Sequence, residues 1–321
     1  PSSNRASGRA EPARRAAALM PRDAPTLDDG LAARRRNYAR RYAWFVVPAA
    51  VVVVAVIVFP WAFTLYVSAF DWHLGRERRF IGFENYVTLF GDARFGWAVA
   101  RTLFYTALAV VLPMLLGIAA ALAFHRKFPL RGLARTVFIL PMMATPVAVA
   151  LVWTMMFHPQ LGVLNWLLAQ VGLPPSMWVY AADSVIPTLV MVEVWHWTPL
   201  VMLLLLGGLA SLPVDPYEAA KIDGATAWQA FRHITLPLLM PFIVVALIIR
   251  TIDALKAFDT IYVITQGGPG QASETINIFL YLQAFAFYNV GYASAVVVVF
   301  FAIILALAAL LLWTRERVRL T

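Results

Sequence analysis

Apolar residues run along this chain in long unbroken stretches rather than in alternation with polar ones. Six stretches qualify as spans, at about 43–67, 98–124, 133–157, 185–210, 236–258 and 292–313. Each reaches the roughly 20 residues that a helix needs to cross a hydrocarbon core about 30 Å thick. Charge, Pro or Gly bounds each one. A β-barrel would alternate lipid-facing and lumen-facing residues, so the pattern predicts an all-α integral membrane protein with six transmembrane helices. At 158–184 the run Leu161, Val163, Leu164, Trp166, Leu167 and Leu168 is too short and too interrupted to span. It predicts an amphipathic helix lying at the interface, followed by a Pro174-Pro175 turn. The chain shows no internal repeat.

Loop charges orient the spans. One set of connections carries Arg126, Lys127, Arg131 and Arg135, then Lys221 and Arg232, then Arg315, Arg317 and Arg319. The other set holds Arg76, Arg78, Arg79 and Arg94, balanced by Asp71, Glu77, Glu84 and Asp92, while 158–184 and 259–291 contain no Lys or Arg. Basic residues concentrate on the cytoplasmic side, so both termini are placed there.

Composition agrees. The chain is 61% hydrophobic and 13% charged with a mean hydropathy of +0.73, against about 25% charged residues in a soluble domain. A net charge of +9 would suit nucleic acid, but the cations sit just outside apolar runs, where they set topology instead. No cysteine is present, and the five histidines lack metal-type spacing, so no metal site is expected. Residues 1–42 differ from the rest. They hold Arg5, Arg9, Arg14, Arg15, Arg22, Arg34, Arg35, Arg36, Arg40 and Arg41 among Ala, Pro and Ser, and predict a basic, mostly disordered cytoplasmic tail in which Met20 could be a start. The six-span membrane body is expected over 43–314 and a short second tail over 315–321.

The connection at 216–241, PYEAAKIDGATAWQAFRHITLPLLMP, is polar for so apolar a protein. Pro213 and Pro216 favour a helix start, and Glu218 lies in the first turn, where the helix dipole favours a negative charge. Asp223-Gly224 should end that helix, since Gly suits the left-handed position after the last turn. A second helix from about Thr226 runs into Leu236-Pro237 and the fifth span. The product is a helix, a turn and a helix projecting from the membrane, a shape able to seat in a partner's groove.

Here a resemblance becomes specific. Glu218-Ala219-Ala220, then Asp223-Gly224-Ala225, then Phe231, Ile234, Leu236-Pro237 and Pro241 are similar to the EAA loop of binding-protein-dependent ABC importer permeases. Phe258-Asp259, Thr265-Gln266-Gly267-Gly268-Pro269-Gly270, Thr275 and Tyr281 resemble the segment before the last span in carbohydrate-uptake permeases for maltose, trehalose, polyols and glycerol-3-phosphate. The similarity runs from about 43 to the end, with a core domain at about 98–312. It omits the basic tail and the large extra periplasmic domain of the enteric maltose permease. The resemblance implies a type I importer permease fold in the bacterial inner membrane. It implies a second homologous permease, a dimer of ABC ATPase subunits and an extracytoplasmic solute-binding protein as partners, besides membrane lipid. It also implies that Glu218, Ala219, Ala220, Asp223, Gly224 and Ala225 form the contact with the ATPase. No G-x-x-x-x-G-K-[S/T] loop occurs and no catalytic constellation is apparent. The chain is therefore expected to be no enzyme and to bind no cofactor, with ATP and Mg on the partner subunit.

Ionisable groups inside spans are functional candidates, because each costs at least ~2.5 kcal/mol at a helix centre. Span four carries Glu193 and His196 beside Trp195 and Trp197; span five carries Arg250, Asp253 and Lys256 at i, i+3 steps. In one reading Glu193, Trp195, His196, Trp197, Asp253 and, further on, Tyr262 line a polar path for a polyhydroxy solute. In the other these groups neutralise one another, Glu193 with His196 and Asp253 with Arg250 or Lys256. Trp and Tyr also concentrate at membrane interfaces, and Pro113, Pro141, Pro146, Pro187 and Pro199 would loosen their helices. An ion-coupled secondary transporter, using Glu193, His196 and Asp253 as proton carriers, is the alternative outside the ABC class. A glycerol-3-phosphate permease, using Arg250 and Lys256, is the alternative within it.

Overall fold

The computed structural model describes Tyr42 and residues 44–319, with side chains through Trp313. The basic tail expected at 1–42 lies outside these residues apart from Tyr42. Five helices among those described are long and apolar enough to cross a membrane, or six if one bent pair is counted as a single span. The first, α1 (Trp44–Val67), carries no Asp, Glu, Lys, Arg or His and contains a π-helical stretch at Val54–Val58. It is followed by a short hairpin, β1 (Phe70–Asp71) with β2 (Arg79–Phe80), paired antiparallel in the register Phe70 to Phe80 and Asp71 to Arg79.

From Thr64 onward the chain forms one compact unit. Its elements are α2 (Glu84–Gly91), α3 (Ala93–His125), α4 (Arg131–Met143), α5 (Pro146–Met156), α6 (Val163–Gln170), α7 (Val185–Ala210) and α8 (Asp215–Ile222). Then come α9 (Ala227–Ala230), α10 (Leu236–Leu255), α11 (Asp259–Thr265), α12 (Ile276–Tyr281) and α13 (Val290–Arg319). The third span is not one helix. α4 and α5 meet at 96°, because Thr145 precedes Pro146 and is pushed into extended backbone, with φ −71° and ψ 145°. Pro146 then opens α5, where its missing N–H costs nothing. α13 stays helical through Arg319, into the stretch read as a tail.

α3 packs along α7, with α10 against both. Small residues permit the closeness: a Cβ added to Gly117 would stand 2.5 Å from Val201 Cγ1. In a bilayer, where lipid is as apolar as Leu, such backbone approach is a main source of helix association. The core they enclose includes Tyr105, Ala109, Met114, Val149, Leu189, Val201, Met202, Leu205 and Leu239.

The end opposite the basic connections is tied by polar contacts. α6 is a short helix, as expected, but Asn165 on it is buried and organises the turn that follows. Its amide donates to the carbonyls of Pro159 and Ser176 at 2.8 and 2.9 Å and accepts from the Ser176 N–H and Trp178 Nε1 at 3.0 and 2.8 Å. Arg94 at the start of α3 donates from Nε and Nη2 to Glu274, both at 2.8 Å. Glu274 is 2% exposed. This bidentate pair pins the 266–275 turn onto α3. Glu274→Gln removes the charge while keeping the shape, and is expected to destabilise the fold by about 2 kcal/mol. A lowered unfolding temperature of the purified protein checks it; an unchanged one would show that Arg94 finds equal partners in water.

Candidate coupling loop and translocation path

Two local devices build the loop between α7 and α10. α8 ends in a paired-bond cap: the Gly224 N–H donates to Lys221 O at 3.3 Å and the Ala225 N–H to Ala220 O at 2.9 Å. This closure needs Gly224 in the left-handed region, at φ +75°. Thr226 then caps α9, accepting from the Gln229 N–H at 3.3 Å, while Gln229 Oε1 accepts from the Thr226 N–H at 2.7 Å. The reciprocal bonds satisfy two donors that a helix start leaves free. A five-residue π turn, Phe231–Thr235, joins α9 to α10. The expected helix, turn and helix is therefore present.

α8 has no buried residue. Glu218, Ala219, Asp223 and Gly224 are exposed, Ala220 and Ala225 half-buried, and Ile222 at the tip is 87% exposed. Glu218 makes no ion pair among the described residues. One hydroxyl bond, Tyr217 to Thr235 at 3.1 Å, ties α8 back to the π turn. Beneath the loop, a cleft of about 800 Å³ opens between Leu122, Leu212, Trp228 and Phe231. A rigid, exposed element joined to α7 and α10 can transmit a push to both.

The intramembrane polar residues do not pair as the neutralisation reading expects. Glu193 pairs not with His196 but with Arg250, whose Nη2 donates to Glu193 Oε1 at 2.8 Å. The same nitrogen donates to Ala109 O at 3.3 Å, and the guanidinium stands 5.0 Å from the Trp197 ring centre. Arg250 is 0% and Glu193 4% exposed. A long bidentate-capable cation across a helix interface reaches what an imidazole three residues away on the same helix does not. His196 instead turns to the break in the third span, with Nε2 3.2 Å from Ala144 O. A carbonyl left outside both α4 and α5 thus has a donor, as a bilayer requires.

Asp253 pairs with neither Arg250 nor Lys256. It lines a cavity of about 220 Å³ with Glu193, Trp197, Lys256, Asp259 and Thr260, together with Pro146, Ala257 and Phe258. Of the candidate path residues, Glu193, Trp197 and Asp253 thus meet in one cavity. His196 does not join them, and Trp195 lies edge-on to Trp153 at 5.5 Å, in a separate apolar cleft with Leu116 and Phe138. Tyr262 stacks on Phe258 at 5.1 Å, and its hydroxyl donates to that of Tyr281 at 3.3 Å. Similar depth made Arg250 one of several partners within reach of Glu193 but did not single it out. Glu193 lies about 12 Å into α7 and Arg250 about 8 Å from the outer end of α10, at 1.5 Å per residue.

Comparisons with known proteins agree with this architecture. Residues 113–320 match the family described as binding-protein-dependent transport system inner membrane component. A probable ABC transporter permease of Sinorhizobium fredii is 35% identical, over 87% of this chain and 91% of that protein. The trehalose/maltose transport system permease MalF of Thermococcus litoralis is 35% identical, over 87% and 95%. The trehalose transport system permease SugA of Mycobacterium tuberculosis is 37% identical, over 85% and 88%. Among solved structures, a chain of a bacterial alginate importer superposes with a TM-score of 0.78 at 23% identity, covering 88% of this chain and 99% of that one. The fold is shared with that importer. A family that works with a binding protein does not support the ion-coupled carrier, and Glu193 is paired with Arg250. Spans, exposed loop and relatives converge: the chain belongs to the binding-protein-dependent inner-membrane components, the permease subunits of ABC transporters.

Proposed function

We propose that this permease passes a carbohydrate or closely related polyhydroxy solute across the bacterial inner membrane. It does so with a second, similar permease, two ATPase subunits that carry ATP and Mg, and an extracytoplasmic binding protein. The observation that carries the substrate class is the cavity of Glu193, Trp197, Asp253 and Lys256. Carboxylates accept from hydroxyls, and an indole face packs on the apolar face of a sugar ring. Relatives named for trehalose, maltose and sulfoquinovosyl glycerol support the same class. A phosphorylated solute fits less well. Arg250 is buried and committed to Glu193, which leaves Lys256 as the cavity's accessible cation beside Asp253 and Asp259.

The contact with the ATPase is assigned to Glu218, Ala219, Ala220, Asp223, Gly224 and Ala225, where the exposed tip of α8 seats in the partner. ATP-driven closure of the ATPase pair would draw two such loops together and swing the spans from inward-open to outward-open. Mild-detergent capture of the tagged chain from its own membranes is expected to bring an ATP-binding subunit and a second permease with it. A chain recovered alone and still transporting after reconstitution overturns the reading. Asp253→Asn removes a charged acceptor from the cavity and is expected to slow sugar uptake by roughly tenfold, measured with radiolabelled trehalose or maltose in proteoliposomes. Unchanged uptake of every sugar accepted by the parent would remove Asp253 from the path.

A further inference from the structure

Pro113 lies inside α3. A proline there has no N–H to offer the carbonyl one turn earlier, so Ala109 loses its helical donor. Ala109 is 0% exposed, and hydrocarbon supplies no substitute. The donor comes from another helix: Arg250 Nη2, at 3.3 Å. Three other prolines inside helices of the compact unit differ. Pro141, Pro199 and Pro241 free the carbonyls of Val137, Trp195 and Pro237, and among the described residues no side chain from another helix bonds any of these. The nitrogen that caps Ala109 also holds Glu193 Oε1 at 2.8 Å. Arg250 Nε and Nη1 bond nothing among the described residues, so Nη2 carries both contacts.

We propose that Arg250 is a positioning residue for translocation: it replaces the hydrogen bond that Pro113 removes from α3 and, from the same nitrogen, sets the Glu193 carboxylate at the cavity wall. The proline site of α3, the acid of α7 and the polar stretch of α10 are then one mechanical unit. A free Glu193 would rotate or recruit water; a clamped one presents a fixed acceptor. The link to transport rests on the cavity being part of the path, whereas the Pro113 link does not.

The test is a double-mutant cycle on the assembled complex. Pro113→Ala restores the N–H, so Ala109 no longer needs Arg250. The fall in unfolding temperature caused by Arg250→Met is expected to shrink to roughly half in the Pro113→Ala background; equal falls in the two backgrounds overturn the link. Arg250→Lys keeps the charge without the planar fork and covers the case in which Arg250→Met does not assemble. It is expected to assemble and to take up sugar about tenfold more slowly. Glu193→Gln should cause a similar loss, with no further loss when the two are combined. Full uptake by Arg250→Lys, or losses that multiply, overturns the positioning role. Normal uptake by Glu193→Gln with a coupled stability cycle would instead reject the cavity as path and leave the Pro113 link standing.

Discussion

Gly224→Pro should abolish uptake while the protein still inserts and folds in the membrane. Gly224 sits at φ +75° and donates its N–H to Lys221 O. Proline is locked near φ −65° and has no N–H, so it cannot occupy the position, and the turn must reopen at a cost on the order of 3 kcal/mol. What that reopening disturbs is narrow. α8 buries nothing, and it meets the rest of the fold chiefly through the Tyr217–Thr235 bond. The spans keep their own contacts, but the exposed tip no longer has its shape. If the tip is the ATPase contact, a misfit of that size is worth on the order of a hundredfold in affinity, and transport should fall below detection.

Glu218→Lys tests the same surface by charge instead of shape. Reversal near the start of α8 opposes the helix dipole by only about 0.3–1 kcal/mol, too little to unfold it. Glu218 is exposed and has no ion-pair partner among the described residues to lose. Loss of uptake would therefore report on what the loop touches. Both variants are compared with the parent for amount in membranes, co-purifying ATPase and sugar uptake. Normal uptake by both would sink the coupling assignment.

The loop was legible because its shape is local. Pro216, Gly224 and Thr226 each impose a backbone state on their own few residues, so spacing alone predicted the helix, turn and helix. Five of the six apolar runs became continuous spans for a similar reason. The third did not, and its break at Thr145-Pro146 shows the limit: a proline inside an apolar run can loosen a helix or end it. What decided here includes His196, fifty-odd residues away, standing ready for the Ala144 carbonyl. One of the two readings of the polar residues had them neutralise their helical neighbours, the partners that sequence spacing places nearest. Glu193, Arg250 and Ala109 lie on three helices, and only packing brings them together.

Replacing both members of the Glu193–Arg250 pair should do less damage to the fold than replacing either. In Glu193→Leu the guanidinium stays buried with one carbonyl and the Trp197 face for company. In Arg250→Met a carboxylate is stranded at 4% exposure. Removing one partner of a buried pair costs about 3–5 kcal/mol, because the other charge remains without compensation. In Glu193→Leu/Arg250→Met neither charge is left, and two apolar side chains fill comparable space. The residual cost should then be mainly the Ala109 carbonyl, about 1–3 kcal/mol for a buried acceptor without a donor. Adding Pro113→Ala supplies that donor and should recover most of the deficit. Thermal loss of the monodisperse complex in detergent orders the four proteins. Uptake separates fold from function: the triple variant is expected to be stable and nearly inactive, since the cavity has lost an acceptor. A pair replacement as fragile as either single change would refute the charge-compensation account. A stable triple variant transporting at the parent's rate would confine Glu193 to structure.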